Sequence, residues 1–490
     1  MSTDHGPSSD HGPSSDVGQS SDVRRAERER GVFRRRIVGT VAVLAVVAGG
    51  FAFASVVQGP RLESGEIDAD RASRLAGEQL TLTINQPVAS LDAEAVEVEP
   101  AASVSADADD RSIVIIFERP LDYAAEYTVR VPGVVGAYQG TPATLEYRFE
   151  TPDEEVYGLL RRSDQGEDDI VQRTSFAHRE TEVVFAAPRI QEFAHVDDIL
   201  AVVTVGDQAR NGLFLSQGNQ PQPLELALPA EGSIRDLAAS TTNPLMGFVF
   251  DTPAIDGVKQ YEATLMTMDL SGAGPAVPQP VLGLDGAPLR TAAWAFVPGS
   301  TSVVVQDFEQ SLFLVDVLGR QPVTPLGVHN EIRGFIAGTS DLIVADPDRG
   351  ALIDLVDGTT TTLELASADL ADNVYPGRIT MLDEARYLIT LVMVDIEGGR
   401  NVRSSMLAEV DPEGELRQVF APAADTSLIR DYCVSPNGQY VAVAASGEQS
   451  RPDGYSDNPG YTETMTSIVE IATARTVLSL QGGFSDWCAG

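Results

Sequence analysis

Lysine is almost missing from this chain: Lys259 is the single one, and every other basic group is arginine. That pattern fits the codon bias of a GC-rich bacterium and needs no functional cause. Positive charge is scarce altogether, with 34 Lys and Arg against 72 Asp and Glu and a net charge of −38. Residues 1–58 carry seven Arg and six acids, so residues 59–490 hold −39. Such a surface repels polyanions, which argues against non-specific binding of nucleic acid. Histidine is sparse too. His178, His195 and His329 lack ligand-spaced neighbours, which argues against a His-built metal site. No Gly-x-Ser-x-Gly occurs, so there is no elbow serine for a hydrolase. Acids do cluster at Asp107–Asp110, Glu167–Asp169, Asp346 with Asp348, and Asp453 with Asp457. None has the twelve-residue calcium pattern with Gly sixth and Glu twelfth, and Asp346–Gly350 reads as a turn. No catalytic residue, metal or cofactor is expected.

The one long apolar run is residues 37–57, whose only polar members are Thr40 and Ser55. At 1.5 Å per residue it is long enough to cross a hydrocarbon core of about 30 Å. Arg24, Arg25, Arg28, Arg30, Arg34, Arg35 and Arg36 precede it, and only Arg61 follows within a dozen residues. The asymmetry puts the N-terminus in the cytoplasm and the bulk outside, in a single-pass arrangement. Ala52-Phe53-Ala54 also fits a signal-peptide cleavage site, but the 36-residue leader and the apolar continuation to Val57 favour an uncleaved anchor. Either way the bulk is exported. Before the run, residues 4–22 repeat every six from Asp4, Asp10 and Asp16; residues 1–36 read as a disordered cytoplasmic tail.

After a polar linker, 58–75, short alternating runs separated by turn residues predict a β-sandwich over 76–152. The runs are Leu80–Ile84, Ala95–Val98, Ser112–Phe117, Glu126–Val131 and Thr144–Phe149. Leu80–Val88, Arg111–Phe117, Tyr127–Val129, Gly140–Pro142 and Tyr147–Thr151 together resemble the SbsA-type bacterial Ig-like domain, departing from it at Asn85-Gln86. The resemblance implies a spacer or scaffold without chemistry.

From residue 155 on, a hydrophobic–small pair recurs. Its copies are Phe193-Ala194, Leu237-Ala238, Trp294-Ala295, Phe335-Ile336, Ile379-Thr380, Tyr432-Cys433 and Trp487-Cys488. The spacing averages about 49 residues with several short strands per unit, the signature of a β-propeller. Six units are complete. The seventh joins an orphan first strand, Phe484–Cys488, to Val156–Arg161, Asp169–Thr174 and Glu182–Ala186, closing seven blades over 155–490. Tyr432–Val443, with its Ser-Pro-Asn-Gly turn, resembles TolB-like and WD40/YVTN-type bacterial propellers. The expected fold class is therefore all-β, an Ig-like sandwich followed by a seven-bladed propeller behind one N-terminal transmembrane helix. The only two cysteines, Cys433 and Cys488, stand in the small position of the last two copies. In an exported chain they predict one disulfide, closing a loop worth roughly 4 kcal/mol in the chain-entropy model. Two free buried thiols are the alternative.

Arg235, Arg333 and Arg430 stand two residues before the repeated hydrophobic position, and Asp236, Asp431 and Asp486 one before it. Repetition places them around the channel mouth, either to hold an anionic group or as an Arg–Asp lattice between blades. Long second-to-third-strand loops surround the same mouth and carry Lys259 and Tyr261 in one, Arg451, Tyr455 and Tyr461 in another. Tyr and charge on long loops suit recognition, though solvated insertions have the same composition. The reading is a membrane-anchored binding or scaffold protein of a bacterial envelope, with an envelope protein or glycan as partner. The alternative is a lactonase- or glycosidase-like hydrolase using channel-mouth carboxylates.

Overall fold

The computed structural model describes residues 39–41, 43, 44, 46 and 59–489, apart from 177, 207–209, 219–221, 273–275, 348, 396–400, 425 and 426. The six-residue repeats and most of the apolar run 37–57 lie outside the described residues. No helix among the described residues is long and apolar enough to cross a membrane.

Residues 62–150 form two four-stranded antiparallel sheets. One has the order Leu62–Glu66, Gln79–Ile84, Ser112–Phe117, Val104–Asp109. In the other, Val88–Ser90, Glu97–Glu99 and Gln139–Glu150 all pair with Glu126–Gly136. Period-2 patterning explains the sandwich. Leu80, Leu82 and Ile84 alternate inward, as do Ile113, Ile115 and Phe117, and they share one core with Val129, Val131 and Val134. Burying each such side chain contributes about 1.5–3 kcal/mol.

Two local expectations are corrected, and one edge strand is added. Leu62–Glu66, assigned to the linker, is an edge strand paired with Gln79–Ile84. Its acids Glu63 and Glu66 face water and hide it. Gly65 holds it in place, because only a missing side chain leaves room for the Tyr147 ring, whose hydroxyl donates to Gly65 O at 3.0 Å. Over Ala95–Val98 there is instead a 3₁₀ turn, Ala93–Ala95, followed by strand Glu97–Glu99. Asp107 and Asp109 belong to the edge strand Val104–Asp109, alternating outward with buried-side alanines. Charge on an exposed edge discourages pairing with another chain.

Residues 155–489 form seven four-stranded antiparallel sheets. Six are runs of four consecutive strands, such as Ile190–Val196, Ile199–Val205, Asn211–Gln217 and Leu224–Leu226. The remaining sheet has the order Thr181–Ala187, Asp169–Ser175, Glu155–Leu160, Gly483–Ser485, so the C-terminal segment supplies its innermost strand. That strand is shorter than Phe484–Cys488, because a 3₁₀ turn begins at Asp486. Second strands are apolar on both faces, as Leu245–Asp251 shows, since each is covered by the neighbouring sheets. Residues next to or on all seven innermost strands line one central cavity, including His195, Ala239, Ala295, Phe335, Thr380, Cys433 and Asp486. Consecutive sheets around a central channel make a β-propeller.

The sandwich docks against one end of that channel. Its contacts fall on the turns that follow innermost strands. Ala76 N–H donates to Gly338 O at 2.8 Å, Tyr123 N–H to Gln439 Oε1 at 2.9 Å, and Asn437 Nδ2 to Leu121 O at 3.1 Å. Arg74 reaches the cavity itself.

Candidate functional site

Innermost strands begin at the mouth opposite the sandwich, and six of the seven carry a β-bulge there. The register shifts lie between Ile190 and Glu192, Arg235 and Ala238, Ile332 and Gly334, Pro376 and Ile379, Ile429 and Asp431, and Gly483 and Ser485. An extra residue kinks the strand and re-aims its side chains. Asp236 and Phe484 sit in these kinks with φ of 55°. The bulge thus places polar groups where regular pleating would put core.

Two cavities result. The mouth cavity, about 430 Å³, gathers Glu192, Arg235, Asp236, Asp431, Trp294, Phe484 and three residues of the loop after Ser446, Ser456 to Asn458. The inner cavity, about 440 Å³, is bounded by Arg74 and holds Glu154, Asp486, His195, Trp487, Arg333 and Arg378.

The sequence-selected residues divide among these places. Arg235 and Asp236 pair with each other at the mouth. Asp431 is also there, bound to Arg378 of the preceding sheet at 2.6 Å, a sheet-to-sheet ion pair. Arg333 lines the inner cavity and pairs with Glu331 at 2.8 Å. Arg430 lines neither cavity; its guanidinium lies 4.0 Å from the Tyr461 ring centroid and its Nε donates to Ser446 Oγ at 2.6 Å. Asp486 lies in the inner cavity rather than at the mouth, accepting from Tyr157 N–H at 3.1 Å.

Loop residues divide as well. Lys259 is exposed and donates to Asp251 Oδ1 at 2.9 Å. Tyr261 packs its ring 5.9 Å from Phe250, against the core. Arg451 is exposed on its loop. Tyr455 is 5% exposed and donates to Asp169, so it fastens the loop instead of facing solvent. Beside it the buried pair Arg161–Asp453 ties the same loop to the closing sheet. Tyr461 stays partly exposed under Arg430. Cys433 is buried, and no cysteine among the described residues is free. Cys488 has its backbone in the terminal turn, Asp486–Ala489, and its side chain lies outside the described residues.

Burial sets the electrostatics. It pushes the Glu192 carboxyl up to about 7, partly offset by the Leu237 N–H, with Asp236 and Asp457 adding repulsion. In the inner cavity burial raises Glu154 to about 8, against the pull of Arg74, and Asp486 to about 7. His195, stacked 4.0 Å from Tyr157, is lowered to about 4 by burial and stays neutral. Its Nε2 has no hydrogen-bond partner among the described residues. No group of three or more His, Cys, Asp or Glu among the described residues is placed to hold a metal.

Sequence reasoning missed Arg378, Glu192 and Glu154. Arg378 stands one residue, not two, before its hydrophobic partner because the bulge absorbs the offset. Glu192 was legible, since it occupies the same position before Phe193 as Asp236 before Leu237. Glu154 belongs to no repeat, and only the closure of the ring carries it inward.

No protein-family model matches the chain, and no curated protein matches it. Among solved structures it is similar to TolB from Acinetobacter baumannii, at 13% identity over 74% of this chain and 79% of that one, with a TM-score of 0.33. It is also similar to a puromycin-hydrolyzing peptidase of Mycobacterium tuberculosis, at 12% identity over 75% of this chain and 54% of that one, with a TM-score of 0.42. A third is an oligogalacturonate lyase in complex with manganese, at 10% identity, 81% and 98% coverage, and a TM-score of 0.38. At these identities and scores the likenesses assign neither an activity nor a partner to this chain.

Proposed function

We propose that this is a membrane-anchored, extracytoplasmic binding or scaffold protein of a bacterial envelope. In this reading an N-terminal helix holds an Ig-like sandwich and a seven-bladed, TolB-like propeller outside the cell, and the propeller mouth recognises an envelope protein or glycan. The observation that carries the recognition role is the asymmetry of the channel. The sandwich docks against one end, and the other presents a bulge-built cavity bordered by the loop that carries Ser456 to Asn458. The export half rests on the charge-flanked run 37–57, and the Ig-like and TolB-like assignments rest on sequence resemblance.

Affinity capture with the full chain from envelope extracts tests the proposal. Recovery of one dominant protein or glycan, lost when the loop Ser446–Thr464 is replaced, is the expected result. Turnover of a substrate without any retained partner would overturn it.

One observation favours the hydrolase alternative: Glu154 and Asp486, two carboxyls with raised pKa, line the same inner cavity. On that alternative Asp486→Asn abolishes turnover; on the binding reading it leaves capture intact.

A further inference from the structure

The mouth cavity has an apolar floor and a surplus of negative charge. Phe193, Leu237, Trp294 and Phe484 form the floor. Glu192, Asp236, Asp431 and Asp457 face a single lining guanidinium, Arg235. Two of the acids are already matched, Asp236 by Arg235 and Asp431 by Arg378. Asp457 is exposed and has no ion pair among the described residues. Glu192, only 6% exposed, is held by neutral donors alone, Gln191 Nε2 and Leu237 N–H. A carboxylate or phosphate entering here would meet the wrong sign. A cation with an apolar stem would meet the right one.

The surroundings indicate what carries that cation. On the same face the loop after Asp251 turns back at Asp256-Gly257 and leaves Ile255 77% and Val258 70% exposed. Phe308 and Tyr461, on the second-to-third-strand loops of two other sheets, are also exposed. A free polyamine would leave this apolar frame in water, whereas a polypeptide would cover it.

We infer that the mouth cavity receives an Arg or Lys side chain projecting from a partner polypeptide, its stem across Trp294 and Phe193 and its charge beside Asp457 and Glu192. The inference rests on the binding reading and specifies its partner. Net charge supports it, because −39 on the exported part steers cationic partners toward the protein. So does Glu192. A bound cation favours its ionised form, so affinity rises as pH rises through about 7.

The test uses the full chain and three peptides: acetyl-Leu-Gly-Arg-Gly-Leu-amide, its citrulline analogue and its glutamate analogue. Binding is read by anisotropy of a labelled peptide, and by Trp294 emission in Trp487→Phe, where Trp294 is the only tryptophan. The arginine peptide should bind at least about fivefold more tightly than the isosteric citrulline peptide, and less tightly as salt increases. Asp457→Asn, at an exposed position that does not threaten folding, should weaken it by a similar factor, and Glu192→Gln should flatten the pH dependence between 6 and 8. Equal binding of the citrulline peptide, or any preference for the glutamate peptide, overturns the inference. Agmatine matching the arginine peptide would overturn its polypeptide part. Capture of a partner at full strength by Asp457→Asn, without an arginine-peptide response, sinks this inference and spares the binding reading; absence of any partner sinks both.

Discussion

Carboxyls desolvated in a cavity without enough counter-charge tie protein stability to pH, and the inner cavity holds two. Unfolded, Glu154 and Asp486 titrate in the ordinary carboxylate range; folded, burial moves them to about 8 and about 7. Between roughly pH 4.5 and 8 the folded chain therefore keeps protons that the unfolded chain has released, and stability falls as pH rises through that window. Glu154→Gln, neutral at every pH, should raise the melting temperature by a few degrees at pH 8 and leave it unchanged at pH 5. Calorimetry at the two pH values checks this, and an equal change at both would contradict it. Neither carboxyl could be singled out from its neighbours in the sequence. Asp486 was grouped with Asp431 by repeat position, yet the strand ends at Ser485 and the following turn carries it inward.

Strands such as Leu80–Ile84 and Ser112–Phe117 were legible because large apolar residues mark every second position, whereas Val104–Asp109 alternates alanine with acid and gives no such signal. Leu62–Glu66 escaped because its support is a ring stacked over a glycine rather than a buried apolar row. A Cβ on Gly65 would lie 2.4 Å from Tyr147. Gly65→Ala should thus cost roughly 1–3 kcal/mol in denaturant titration, the range for overpacking a filled site. The closing strand was legible as a seventh repeat without its own blade. Its pinning by Cys433–Cys488 is a proposal with a redox signature. Cys488→Ser should lower the melting temperature in oxidising buffer, by a loss of up to about 4 kcal/mol, and change nothing in reducing buffer. Equal loss in both buffers would mean that no disulfide links the two.

At the scale of the whole molecule, the docking of the sandwich across the channel end is a property of the assembled fold. It depends on turns, Gly338 and Asn437–Gln439 among them, whose sequence signals only a hairpin. Gly338 has a φ of +71°, and a Cβ there would meet Pro120 Cγ at 2.2 Å. Gly338→Ala should loosen the sandwich from the propeller, seen as a larger radius of gyration by small-angle scattering with unchanged far-UV circular dichroism. An unchanged radius would contradict a shared rigid body. On the binding reading this docking leaves one mouth available, and the chain's single lysine, Lys259, is exposed on a second-to-third-strand loop of the same face.

That scarcity makes the central claim directly measurable. Within residues 1–490 an amine-reactive cross-linker applied to intact cells finds one lysine to attach to, Lys259. The binding reading predicts a defined partner joined to the peptide that contains Lys259, and loss of the adduct in Lys259→Arg. No adduct at Lys259 in cells where the protein turns over a substrate would contradict it.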